Sequence, residues 1–281
     1  MRPYIHDLTP FFADGCWMFV LLAKQAHVGV ILRRGPTEWW RITLWDTKRD
    51  RFEGGQWFHG RIYPERCDVS PDGKLFIYFA GKFNQRSADN GYGDTWTAVS
   101  RPPYLTALAL WPIGGTWGGH GVFVDDRTVL VTASRHHPDH PPGPLGVLQY
   151  WSLDAGDPRR EAVPGARGWD DRPAPRAGMR WPLASKVCGD LMLGREIACL
   201  QFCPSRSPCI YTLYRSDGEP LDTFEAHWAD WDRQGRLVAT AGGRVLEGKL
   251  TRDRKLKWRQ LAAMNEERPI RMEAPDWAQH W

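Results

Sequence analysis

Apolar runs of four to eight residues, rich in Val, Ile, Leu, Trp and Tyr, recur along the whole chain. Asp, Gly, Pro and Ser separate them. Runs of that length bounded by turn residues read as β-strands, and no strong amphipathic helix interrupts the series. The clearest unit is Cys67-DVSPDGKLFIYFAGK, in which Ser70-Pro71-Asp72-Gly73 turns between two apolar pieces. Phe12-ADGCWMFVLLAK, Gly121-VFVDDRTVLVTAS and Ala229-DWDRQGRLVATAGG read as further copies. Gly15 and Gly73 are 58 positions apart, Asp72 and Asp126 are 54 apart, and Gly73 and Gly235 are 162 apart. The last interval is three periods, so a copy is missing or degenerate near residues 180–200.

A second series reads as strand, turn, strand. Its members are Arg41-ITLWDTKRDRF, Gly146-VLQYWSLDAGDPRREAV, Ile210-YTLYRSDGEPLDTF and Arg244-VLEGKLTRDRKLKWRQL, with Thr95-WTAVSRPPYLTALALW in the remaining slot. Their polar connectors have hairpin length. Interleaving the two series gives five units of four strands, over 10–63, 64–114, 115–166, 167–226 and 227–270. The expected fold is all-β: a β-propeller of five blades, each of four antiparallel strands, spanning 1–281 as a single domain. A Pro, Gly and Arg-rich stretch over about 154–182 reads as a surface insertion, and about 265–281 as a polar tail. Residues before Trp17 would supply the outer strand of the last blade, or the tail would pack on the first.

SPDGKLFIYFA resembles the strand-turn-strand of WD40-like and TolB-like propeller repeats. Leu44-Trp45-Asp46 resembles the Trp-Asp that ends the third strand of a WD40 blade. The resemblance implies a propeller and names no family within it. The period here is near 55, longer than a WD40 repeat, and only one unit carries Trp-Asp at that place.

Composition adds little to this and excludes more. The 281 residues are 42% hydrophobic and 25% charged, enough for a well-buried core. Thirty-seven basic and 33 acidic residues leave a net charge of +4, too mild to argue by itself for a nucleic-acid surface. The longest apolar stretch, after Gly15, is far below the roughly 18 residues that span a bilayer. With no targeting segment and six dispersed cysteines, most of them inside strand-like runs, a cytoplasmic protein with reduced thiols is expected. Sixteen tryptophans suit sheet faces and interfaces with one wet edge.

Five clusters have side chains suited to chemistry. Arg135-HHPDH puts His136, His137, Asp139 and His140 together, but with no regular ligand spacing. Cys188, Cys199, Cys203 and Cys209 lack the spacing of zinc modules. Asp125-Asp126, Asp170-Asp171, Asp190 and Glu196 could supply paired carboxylates, although Asp125-Asp126 occupies a turn position. Trp111-PIGGTWGGHG has glycines that let backbone approach closely, with Trp117 and His120 among them. The insertion interleaves Arg159, Arg160, Arg167, Arg172, Arg176 and Arg180 with Trp169 and Trp181, diluted by acids. No phosphate loop, dinucleotide fingerprint or zinc-protease motif occurs. No cofactor and no metal are expected.

The expected function is a non-catalytic scaffold that binds a protein partner through Trp117 and His120 on the crossover and Trp169 and Arg172 on the insertion. The alternative is a hydrolase or lyase that uses paired carboxylates or a His-bound metal at the channel, with a glycan as one candidate substrate. Small-molecule or glycan binding without catalysis is a third reading.

Overall fold

The structure is a computed structural model and describes residues 5–14, 16–83, 93–133, 135–150, 169–170, 183–196 and 208–281. It is all-β: among the described residues the strands form five sheets. The chain divides into two units, one of residues 20–164 with 268–281, the other of 1–19 with 165–267.

Sheet I takes β1 (Trp17–Leu22), β2 (Val28–Arg34), β3 (Trp39–Asp46) and β4 (Arg51–His59), in that order across the sheet. Sheet II follows with β5 (Arg61–Ile62), β6 (Asp68–Val69), β7 (Phe76–Gly81), β8 (Thr95–Ser100) and β9 (Ala109–Pro112). The two short strands β5 and β6 both pair with β7, so together they stand in for one first strand. Sheet III has β10 (Gly121–Phe123), β11 (Thr128–Val131) and β12 (Gly146–Gln149). In the second unit, sheet IV runs β13 (Leu183–Cys188), β14 (Leu191–Glu196), β15 (Cys209–Arg215) and β16 (Pro220–Ala226). Sheet V runs β17 (Trp228–Trp231), β18 (Leu237–Ala241), β19 (Arg244–Leu250) and β20 (Leu256–Ala263).

Four of the five sheets fall inside the intervals read from the sequence, and sheet II starts before its own, because β5 (Arg61–Ile62) lies within 10–63. Two details of that reading are corrected. Sheet III was expected to be four antiparallel strands, yet β12 lies parallel to β11, with Thr128 opposite Gly146 and Val131 opposite Gln149. A parallel neighbour needs a long return connection, and residues 132–145 provide it. The Asp-Gly turn of sheet I was placed at 13–15, but the apolar run after it is β1 itself. The hairpin turn of sheet I is the Lys24–His27 segment, where the Ala23 amide donates to the Val28 carbonyl at 2.9 Å.

The middle strands are apolar on both faces. Every residue of β7 and of β18 is buried. Such a strand needs a layer on each side, and the next sheet supplies it. Ile77, Val99 and Trp111 of sheet II share a core with Phe123, Val129 and Val131 of sheet III. Leu193, Tyr211 and Phe224 of sheet IV share one with Trp231, Ala239, Leu246 and Trp258 of sheet V.

Polar bonds then fix the register of neighbouring sheets at their first hairpins. The Gln25 amide donates to the Pro71 carbonyl at 2.8 Å, joining the turns of sheets I and II. The Asp72 amide donates to Asp126 Oδ1 at 2.7 Å, and the Phe123 amide to Asp68 Oδ2 at 2.9 Å, joining sheets II and III. In the second unit Lys186 Nζ lies 2.8 Å from Asp230 Oδ1, and Trp231 Nε1 donates to the Lys186 carbonyl at 3.1 Å.

The ends behave as two additions. Ile5 pairs with Trp258 on the far side of β20, each amide donating to the other's carbonyl at 2.8 Å. The tail reaches sheet I, where Gln56 Nε2 on β4 donates to the Met272 carbonyl at 3.1 Å. It continues into the short helix α1 (Asp276–Gln279).

Asp126→Ala removes the acceptor for the Asp72 amide and should lower stability by about 1–2 kcal/mol in urea unfolding. Asp126→Asn keeps an acceptor oxygen and should fall between the two. Equal stability of Asp126→Ala and wild type would remove this contact from the account.

Candidate functional site

The crossover from β9 to β10, Ile113–His120, displays the two residues singled out there. Its backbone is pinned at both ends and in the middle. The Ile113 amide donates to the Thr95 carbonyl at 2.9 Å. The buried Thr95 hydroxyl donates to the Gly115 carbonyl at 2.7 Å and accepts the Gly115 amide at 3.1 Å. Arg66 Nη1 donates to the Thr116 carbonyl at 2.5 Å. The Thr132 hydroxyl donates to the Gly118 carbonyl and accepts the His120 amide at 3.2 Å.

Two glycines let the loop lie this close. A Cβ on Gly119 would stand 1.9 Å from the Phe79 ring, and one on Gly121 would stand 2.3 Å from Ile77. No side chain fits at either place without displacing a buried residue of β7.

At the tip Trp117 is 93% exposed. His120, three residues on, is half-buried. Its ring meets Tyr150 edge-on at 6.1 Å, and its Nε2 is buried without a hydrogen-bond partner. Burial, and after it the positive charge of Arg66, pushes the imidazole down to about 4. His120 is therefore neutral at pH 7. Arg66 itself lies over the Tyr63 and Phe79 rings, 5.5 Å from each centroid. The group is a rigid apolar display with one neutral imidazole, suited to contact and not to acid–base exchange at neutral pH.

The other candidates fall elsewhere. Trp169 is 7% exposed and belongs to the core of the second unit. It packs against Tyr211, with the Arg195 guanidinium 4.5 Å from its ring centroid. That corrects its expected place on an exposed loop: Asp170 beside it pairs with Ser185 of β13, which draws the segment onto the sheet. Arg172, Asp171, Trp181, Cys199, Cys203 and the remaining arginines of the insertion lie outside the described residues.

Asp125 holds its own turn, and Asp126 accepts the Asp72 amide of the neighbouring hairpin. Asp125 Oδ1 accepts the Arg127 amide at 2.7 Å, a bond that holds its carboxyl below the usual carboxylate range. The 136–140 segment pairs with β9, the His137 amide donating to the Leu110 carbonyl at 2.7 Å and the Leu110 amide to the His140 carbonyl at 3.1 Å. Its imidazoles are thus set by a strand-like addition. Among the described residues no group of three or more His, Cys, Asp or Glu is placed to hold a metal ion. Among the described residues Cys16, Cys67, Cys188 and Cys209 are in no disulfide. Among the described residues no helix is long and apolar enough to cross a membrane.

Arg66 and Thr95 were not legible as site residues. They act on carbonyls 50 and 20 positions away, and nothing in their own neighbourhood marks them.

No family model matches the chain, and no curated protein matches it. Among solved structures, the 1.18 Å crystal structure of an uncharacterized protein from Listeria monocytogenes EGD-e is similar over 92% of this chain and 87% of that one. Identity is 9% and the TM-score is 0.23.

The burial of His120 gives a sign. Its folded value lies below the ordinary 6.5, so the unfolded chain binds more protons between about 4 and 6.5. Its contribution to stability is full above 6.5 and falls as pH drops through that window. The NMR titration of the His120 ring should have a midpoint well under 6.5 and should shift upward in Arg66→Gln. A midpoint at or above 6.5 would contradict the placement.

Proposed function

We infer that this chain is a non-catalytic scaffold of the five-bladed β-propeller type that binds a protein partner, with Trp117 as an anchor. Closure of the five sheets into one ring is part of that proposal. Four features support it: the sequential strand order of the sheets, their shared cores, the contacts between successive first hairpins, and the approximate 55-residue period. The resemblance of Ser70–Gly73 and of Trp45-Asp46 to propeller repeats points the same way.

The observation that carries the binding reading is Trp117. A fully exposed indole is an expensive surface feature in water, and this one stands on a loop with little freedom left. Tryptophans in such settings are frequent interface hot spots, because burying them gains area while the loop loses little entropy on binding. The enzyme reading has less behind it. Asp125 and Asp126 are engaged with backbone amides, and His120 is neutral at working pH.

The test is a partner captured from the source cell at moderate salt, followed by affinity measurement with purified components. Trp117→Ala should fold normally and bind that partner about 2 kcal/mol more weakly, roughly thirtyfold. Unchanged affinity in the folded variant would remove Trp117 from the interface. Turnover of a substrate that survives Trp117→Ala and fails in Asp126→Asn would favour the hydrolase or lyase reading instead.

A further inference from the structure

One end of sheet I carries a row of cationic and aromatic side chains that the partner-binding reading does not use. Arg33 on β2 stands opposite Arg41 on β3, and Arg41 stands opposite Trp57 on β4. Residues directly opposite in an antiparallel sheet share a face. Trp39 and His59, opposite each other one step along, lie on that face too. Two guanidiniums therefore approach one indole: Arg33 at 5.2 Å and Arg41 at 5.5 Å from the Trp57 ring centroid. Trp39 meets Trp57 edge-on at 6.4 Å and His59 at 4.8 Å.

The row is built, not incidental. Arg33 is 1% exposed, which is rare for a guanidinium. Gly54 makes room for its neighbour: a Cβ there would stand 2.1 Å from Arg41 Nη2. Arg41 Nε is held toward the Gly55 carbonyl at 3.5 Å, and Gly55 in turn lies against Pro103, whose carbonyl is 1.9 Å from where a Cβ would be.

Among these polar groups, one donor is left over. The Trp57 Nε1 atom is buried and has no hydrogen-bond acceptor. An indole N–H can only donate. A buried donor without an acceptor costs stability, and this one belongs to a ring with two guanidiniums within 5.5 Å of its centroid, where the acceptor most strongly favoured is negatively charged.

We propose that this end of sheet I is an oxyanion-binding site, in which Trp57 Nε1 and the Arg41 and Arg33 guanidiniums receive a phosphate or carboxylate group. Arg41 is only half-buried, so rotation of its side chain opens the route to the indole nitrogen. The aromatic rings of Trp39 and Trp57 favour an oxyanion carried by a small organic ligand, whose apolar part stacks there. The two oxyanion sources share this chemistry and differ in geometry and charge, so separate probes distinguish them.

The experiment uses the full chain labelled with nitrogen-15. The Trp57 indole resonance is assigned by its loss in Trp57→Phe. Inorganic phosphate, phenyl phosphate and benzoate are titrated separately at constant ionic strength, with chloride as the balancing salt. The expected result is a saturable downfield shift of the Trp57 indole proton with phosphate or with carboxylate, tighter for the aromatic member. Response to the phosphates alone assigns a phosphate ligand, and response to benzoate alone a carboxylate.

Trp57→Phe, which keeps a ring and removes the donor, should lower affinity about tenfold by calorimetry. Arg41→Gln should lower it at least as much, and Arg49→Gln, in an exposed turn, should leave it unchanged. If Arg41→Gln does not fold, Trp57→Phe carries the test alone. An indole resonance indifferent to all three probes, or equal affinity in Trp57→Phe and wild type, would overturn the proposal.

Discussion

A sheet whose middle strands are apolar on both faces has to be covered on both faces, and among the described residues there is no helical layer with which to do it. The one described α-helix has four residues. Every buried face of β7 and β18 therefore depends on a neighbouring sheet, and the shared cores of sheets II and III and of sheets IV and V follow from that need. Apolar contact alone tolerates sliding. The register comes from directed bonds at the first hairpins, where the Asp68 and Asp126 carboxylates take amides of Phe123 and Asp72. The Asp72–Asp126 bond joins residues 54 positions apart, so the period of the sequence is also a distance in the fold.

This explains what could be read from the chain. A strand apolar on both faces is a dense run of Val, Ile, Phe and Ala, and hairpin turns need Asp and Gly, so runs and turns are visible and the five intervals follow. Phase was harder. Phe12-ADGCWMF matches the pattern locally, yet its run is a first strand and the turn lies later, because any apolar run after Asp-Gly looks alike. The copy that seemed degenerate is the tight turn Cys188-Gly189-Asp190-Leu191 between β13 and β14. It reverses the Asp–Gly order seen elsewhere, with Gly189 at φ 57. The parallel pairing of β12 has no local signature, since Gly146-VLQ is equally good for either direction.

The candidate site was legible by half. Glycines at 118, 119 and 121 beside Trp117 and His120 signal a close backbone approach, and Gly119 on Phe79 and Gly121 on Ile77 are such approaches. What pins the loop was hidden, because Arg66 and Thr95 reach carbonyls across the fold. Trp169 shows the opposite failure. A tryptophan among arginines and prolines looks like an exposed anchor, but two backbone hydrogen bonds between Asp170 and Ser185 fold it onto sheet IV. Burial of an aromatic residue in a polar stretch is decided by a partner strand that the stretch itself does not contain.

The pinned crossover is what makes Trp117 more than an exposed side chain. A loop free to move would lose the entropy of ordering on every encounter, and the indole would gain little from being displayed. Hydrogen exchange of the backbone amides measures this directly. The amides of Ile113, Gly115 and His120 each donate to a threonine oxygen, so they should exchange slowly, within reach of the neighbouring amides of β9 and β10. Exchange of all three at the rate of an unstructured chain, while β9 and β10 stay protected, would mean the loop is not held and would contradict the account of Trp117 as a preorganised anchor.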